Sequence, residues 1–165
     1  MWYAVHVKDG DEARTESFVK GVLPKELYTR CFHLTRSRRK KYGGQWQTVR
    51  EKLLPGYVFI ATDQPEAVHR ELKKLSEPRL LGTDAGASTL EKKESDLMEQ
   101  LADAEGEIGL SKVRVDDDGN VEFLSGPLRK VGDMVCKVDL HRRVAEVETD
   151  ILGDRVIYLG IEIEM

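Results

Sequence analysis

The sequence predicts an α+β protein, a mixed sheet with helices packed against it followed by a small five-stranded β-barrel. Three observations carry this. Apolar, aromatic and β-branched runs open the chain and recur at residues 57–60. Helix-period segments alternate with such runs as far as residue 107. From Val121 onward only short β-rich pieces remain, separated by glycine or charged turns.

Element by element, Trp2-Tyr3-Ala4-Val5-His6-Val7 reads as a central strand because its apolarity is nearly continuous. Residues 11–20 read as a helix: Asp11 is the expected cap, Ala13, Ser17, Phe18 and Val19 the expected inward side, and Gly21 with Pro24 the expected stop. From Cys31 the chain alternates into the run Arg36-Ser37-Arg38-Arg39-Lys40-Lys41, turns at Gly43-Gly44 and returns through residues 46–52. This is the pattern of a long β-hairpin with a basic tip. Pro55-Gly56 breaks the chain before Tyr57-Val58-Phe59-Ile60, a second central strand. Pro65 suits a first helical turn, and Ala67, Val68, Leu72 and Leu75 form its apolar stripe. Arg79-Leu80-Leu81-Gly82 reads as a short strand. Leu90, Leu97, Met98 and Leu101 mark one side of an acidic third helix ending near Gly106, a packing stripe. Asp116-Asp117-Asp118-Gly119-Asn120 is a turn, not a calcium loop, since it lacks alternating carboxylates and a later bidentate Glu. Strands are then expected at 121–124, 134–138, 144–149, 155–159 and 161–163. The expected division is a first domain over 1–107, a linker or hairpin over 108–120, and the barrel over 121–165.

Composition narrows the function. Hydrophobic residues at 40% and charged residues at 34% describe a globular chain. The net charge of -4 conceals an asymmetry: residues 1–61 carry +6, 62–120 carry -7 and 121–165 carry -3. Contact with nucleic acid is therefore expected to be local and assisted by another partner. No apolar run approaches the roughly 20 residues of a membrane span, and the first residues lack the zones of a signal peptide, so no membrane contact and a cytoplasmic location are expected. Cys31 and Cys136 show no metal or redox spacing and read as reduced thiols. The histidines His6, His33, His69 and His141 have no paired spacing, and no nucleophile elbow or phosphate-binding glycine loop occurs. No metal, cofactor or catalytic residue is expected, and the alternate Glu146 and Glu148 read as one solvated strand face.

In this order and spacing, Trp2-Tyr3, the basic hairpin, Leu54-Pro55-Gly56-Tyr57-Val58-Phe59 and Arg79-Leu80-Leu81-Gly82 resemble the NusG N-terminal (NGN) domain. The stretch Val121-Glu122-Phe123-Leu124-Ser125-Gly126-Pro127-Leu128, followed by residues 134–139, resembles the KOW motif that forms a small barrel in the same family, with Asp133 where the usual motif has glycine. Asp139-Leu140-His141-Arg142-Arg143-Val144-Ala145-Glu146-Val147-Glu148, Leu152-Gly153 and Gly160-Ile161-Glu162-Ile163 look most like the specialised antiterminator paralogs called LoaP.

The resemblance implies a monomeric transcription elongation and antitermination factor without enzymatic activity. By the same resemblance, Leu54, Pro55, Tyr57 and Phe59 line a docking surface for the clamp helices of RNA polymerase's largest subunit, with Tyr57 the strongest anchor. Arg36, Arg38, Arg39, Lys40 and Lys41 lie toward non-template DNA near the upstream fork, although a solubilising loop is the commoner use of such a run. In the barrel, Arg129, Lys130, Lys137, His141, Arg142 and Arg143 are expected to contact a nascent RNA hairpin, with ordinary solvated turns as the competing reading. Rho and a ribosomal protein are both open as barrel partners. The alternative is a ribosome-associated KOW protein, which the modest acidity disfavours, since proteins embedded in ribosomal RNA are strongly basic.

Overall fold

A computed structural model describes residues 1–74, 87–153 and 156–164. Among these the elements run β1 (Trp2–His6), α1 (Glu12–Val22), β2 (Arg30–Phe32), β3 (Thr35–Tyr42), β4 (Gln45–Lys52), β5 (Tyr57–Ala61), α2 (Pro65–Lys73), β6 (Ala87–Thr89), α3 (Lys92–Leu101), β7 (Glu107–Ile108), β8 (Ser111–Val115), β9 (Val121–Ser125), α4 (Pro127–Lys130), β10 (Val135–Asp139), β11 (Val144–Glu148) and β12 (Val156–Ile163). The fold is α+β. The chain divides into two compact units, one of residues 1–34, 54–96 and 104–106, the other of residues 35–53, 97–103 and 107–165.

The first unit is built on an antiparallel sheet ordered β2-β5-β1-β6. The two apolar runs, β1 and β5, hold the inner places and are almost wholly buried, as continuous apolarity predicts. Strand alternation sorts their side chains. Tyr3, Val5, Val58 and Ile60 pack with Val19 and Leu23 from the α1 segment, and with Val68 and Leu72 from α2. The other parity carries an aromatic cluster, in which Trp2 meets Phe32 edge-on at 4.8 Å between ring centroids and Phe59 at 5.6 Å.

Helix α1 departs from expectation. Asp11 makes no side-chain cap, Ala13 and Ser17 are exposed, and the buried residues are Glu12, Thr15 and Val19. The helix also runs through Gly21 to Val22, because an isolated glycine only weakens a helix, whereas Leu23, the residue before Pro24, is forced extended. In α2, Val68 and Leu72 are buried as expected, with Pro65 in the first turn. The expected strand at Arg79-Leu80-Leu81-Gly82 and the stripe residue Leu75 lie outside the described residues.

In the second unit, β3 and β4 form the expected hairpin. Its two-residue turn places both Gly43 and Gly44 at positive φ, +56° and +81°, the mirror-image turn that matches strand twist. Strand β7 joins β3 in parallel. A curled five-stranded sheet, ordered β10-β11-β12-β8-β9, makes up the remainder. Two of its strands differ from the reading of the sequence. Residues 156–163 form one continuous strand across Gly160, not two pieces, and the fifth strand is β8, paired in parallel with β12. Gly160 does not turn the chain; it admits another backbone. A Cβ there would collide with the carbonyl oxygen of Ser37 and lie 2.9 Å from Arg38 Cα, so glycine is what lets β3 cross β12. Arg36 spans the same crossing, its guanidinium donating to the Tyr158 carbonyl oxygen. The turn at 116–120 is closed by the Asp116 carboxylate, which accepts from the backbone of Asp118 at 3.0 Å and of Asn120 at 2.8 Å.

Candidate functional site

Two surfaces carry the residues singled out above. The first, in the first unit, is the loop 54–56 with the start of β5. Leu54 adopts a positive φ of +55°, sparsely allowed for a bulky residue, and Gly56 follows at +90°. The buried Glu12 holds this loop in place, its carboxylate accepting from Gly56 N at 2.9 Å and Gly10 N at 2.8 Å. Gly56 in turn accepts from Val7 N at 2.7 Å, tying the loop to the end of β1. The loop leaves Pro55 exposed and Tyr57 half-buried, with the Tyr57 ring 5.2 Å from the exposed His6. Leu54 and Phe59 are both buried, Phe59 completely. Of the four residues matching the docking motif, Pro55 and Tyr57 reach the surface and the other two pack beneath it.

The second surface lies within the second unit. The hairpin register pairs Arg36 with Glu51 and Lys41 with Trp46. Alternation puts Arg36, Arg38 and Lys40 on one face and Arg39 and Lys41 on the other, beside Trp46. The first three converge on one carboxylate: Glu51 lies 2.5 Å from Lys40 Nζ, 3.4 Å from Arg36 and 3.6 Å from Arg38. Burial by itself raises the Glu51 pKa, but the Lys40 hydrogen bond and the three positive charges outweigh it and hold the carboxyl below its ordinary range. The Nε atoms of Arg36 and Arg38 are buried without a hydrogen-bond partner among the described residues.

The turn between β10 and β11 adds to this surface. Asp139 accepts from Arg142 N at 3.0 Å, and this backbone hydrogen bond, with neighbouring positive charge, holds its carboxyl below the usual range against the opposing effect of desolvation. Arg143 sits at φ +59° and lays its guanidinium 4.5 Å from the Trp46 ring centre; Lys41 Nζ approaches the same ring to 5.9 Å. A cleft of about 650 Å³ results, lined by Arg38, Arg39, Lys40, Lys41, Tyr42, Trp46, His141, Arg142 and Arg143.

The structure therefore brings together four of the five hairpin cations with three of the six barrel residues. Arg36 is drawn instead to Glu51 and Tyr158, while Arg129, Lys130 and Lys137 are exposed but do not line the cleft. Trp46, Glu51 and Glu12 were not singled out from the sequence. A two-residue Gly43-Gly44 turn fixes the hairpin register, so the pairs with Trp46 and Glu51 follow from it by counting. The approach of Arg143 to Trp46, almost 100 residues apart, has no local signal, and neither has Glu12.

Among the described residues no helix is long and apolar enough to cross a membrane. No curated protein matches the chain. A solved structure described as "Domain interaction in Thermotoga maritima NusG" matches over 96% of this chain and 91% of that one, at 19% identity and a TM-score of 0.46. The family model described as "Transcription termination factor nusG" matches residues 1–99. That match spans more than half of the 165 residues, and the chain belongs to the NusG family of transcription factors, which is not an enzyme family and whose members interact with RNA polymerase.

Proposed function

We propose that this protein binds the clamp helices of RNA polymerase's largest subunit through the Pro55–Tyr57 surface and acts as an elongation and antitermination factor. The observation that carries the reading is the presentation of Tyr57: a half-buried aromatic beside an exposed proline, on a loop fixed by Glu12, in a chain of a polymerase-binding family. Such a ring buries its apolar body in a partner while its hydroxyl keeps a polar contact, the property of an interface anchor. Leu54 and Phe59 act from beneath, supporting the surface.

Mechanistically the factor favours elongation by binding the elongating form of polymerase more tightly than the paused form, and the shift equals that difference in affinity. The hairpin and barrel cations add contact with nucleic acid at the bubble and on the nascent transcript, and each weak contact gains from the local concentration the others impose. The stretch 139–148 supports a specialised role of the LoaP kind, with recruitment to selected operons through an RNA hairpin.

The test is binding of the purified protein to bacterial polymerase, compared with Tyr57→Ala and with polymerase lacking the clamp-helix tip. An anchor of about 2 kcal/mol predicts an affinity loss of roughly 30-fold for Tyr57→Ala. A folded Tyr57→Ala protein that binds as wild type would remove this assignment.

A further inference from the structure

We propose that the cleft between the β3–β4 hairpin and the β10–β11 turn is one site for single-stranded nucleic acid, in which an unpaired base stacks at Trp46 and Arg143 while Arg39, Lys41 and Arg142 hold the flanking phosphates. The proposal rests on the transcription reading above and sharpens it: hairpin and barrel do not offer two separate nucleic-acid surfaces but share one.

Four observations carry it. The Trp46 ring and Arg143 guanidinium, 4.5 Å from ring centre to guanidinium carbon, already form an aromatic–arginine pair, the type of platform that takes a base irrespective of its identity. Among the described residues Arg39, Lys41 and Arg143 have no carboxylate partner, in contrast to Lys40 and Arg38, which Glu51 holds, and to Arg142, whose charge is felt by Asp139. A concentration of unneutralised positive charge, in a chain of net charge -4, matches a polyanion and repels itself without one. Arg143 occupies the left-handed region, disfavoured for any residue with a Cβ, and this conformation is associated with its position over the ring. Finally, a volume of about 650 Å³ falls within the range of ligand-binding clefts and has room for a stacked nucleotide with its neighbouring phosphates. A duplex hides its base faces inside the stack and offers this cleft only phosphates, so the site discriminates for single strands.

The protein contains two tryptophans, and Trp2 is completely buried, which makes Trp46 the reporter of stacking. The full chain is titrated with 12-nucleotide oligo-rU, oligo-dT and a blunt duplex of equal length, following tryptophan fluorescence and, with labelled oligonucleotides, anisotropy. Single strands are expected to quench fluorescence and the duplex to leave it unchanged. Trp46→Ala is expected to weaken single-strand binding at least fivefold, with Trp46→Phe restoring most of it. Replacing Arg142 and Arg143 with Ala lowers the slope of log affinity against log salt by about 0.7 for each phosphate no longer neutralised. Trp46→Ala combined with Arg143→Ala loses less than the product of the single losses, because both belong to one platform. Preference for oligo-rU identifies the transcript as the natural strand, and equal or better binding of oligo-dT identifies displaced DNA. A folded Trp46→Ala protein with wild-type affinity, quenching by duplex equal to that by single strands, or absence of oligonucleotide binding at 50 mM salt each overturns the proposal. Polymerase binding is measured in parallel. If it persists while oligonucleotide binding fails, only the cleft assignment falls; if it fails while oligonucleotides bind, the clamp-helix reading falls.

Discussion

Removing the Glu12 carboxylate tests how the loop before β5 is held. Glu12 is buried, and its two oxygens accept from backbone groups on two different segments, Gly10 N at 2.8 Å and Gly56 N at 2.9 Å. A hydrogen bond to a charged acceptor contributes about 1.5–3 kcal/mol net. Taking the lower figure for each, since the bond from Gly10 is only partly buried, Glu12→Ala costs about 3 kcal/mol; its place in the first turn of α1 adds a few tenths more through the helix dipole. For a chain of this size that corresponds to a fall in Tm of roughly 6–12 °C. Glu12→Gln keeps one acceptor but turns an NH2 group toward a backbone N–H, so about half the loss is expected. Asp11→Ala is the control, because Asp11 makes no side-chain cap and its loss is expected to lower Tm by no more than about 2 °C. The assay is thermal unfolding by circular dichroism. A Tm for Glu12→Ala within about 2 °C of wild type would refute the clamp, as would Glu12→Gln indistinguishable from wild type.

Gly160→Ala places a methyl group against the Ser37 carbonyl and 2.8 Å from Leu110 Cδ2; a loss of at least about 2 kcal/mol in urea unfolding is expected, with faster proteolysis in the hairpin. The Glu51 carboxyl has a pKa depressed by folding, so its contribution is complete above the ordinary glutamate range near pH 4.3 and is lost as pH falls through the lower folded value; unfolding midpoints measured from pH 6 to 3 should fall more for wild type than for Glu51→Gln. Burial pushes the Cys31 thiol up to about 12, followed by a smaller effect of the Glu16 charge, while Cys136 is exposed. A thiol reagent at pH 8 should therefore label Cys136 in the native protein and Cys31 only after denaturation.

Where order is set by local chemistry, the sequence was readable. The apolar runs of β1 and β5, the paired glycines of the hairpin turn and the Pro65 start of α2 all act within a few residues, and the structure has them as expected. Helix α1 was legible as a helix but not by face. Its buried positions include an acid that serves a distant loop, and hydropathy reads Glu12 as solvated. The continuity of β12 was hidden for a related reason: Gly160 resembles a strand break unless the chain that passes it is known. Of the site, the cations were visible as a run, but their sorting into those held by Glu51 and those turned toward Trp46 depends on cross-strand pairing. The meeting of Trp46 with Arg143 depends on the whole fold.

The crossing at Gly160 also has a consequence for the order in which the molecule is made. The hairpin leaves the ribosome well before the strand against which its backbone rests, residues 156–163. At about 5–20 residues per second, the interval between residue 52 and residue 160 lasts roughly 5–20 s. Until β7 follows, the hairpin is a two-stranded ribbon, a structure with marginal stability in isolation. The earliest part of the second unit therefore waits for a much later one, and nascent chains stalled before β12 should expose a protease-sensitive hairpin that becomes protected once β12 has emerged.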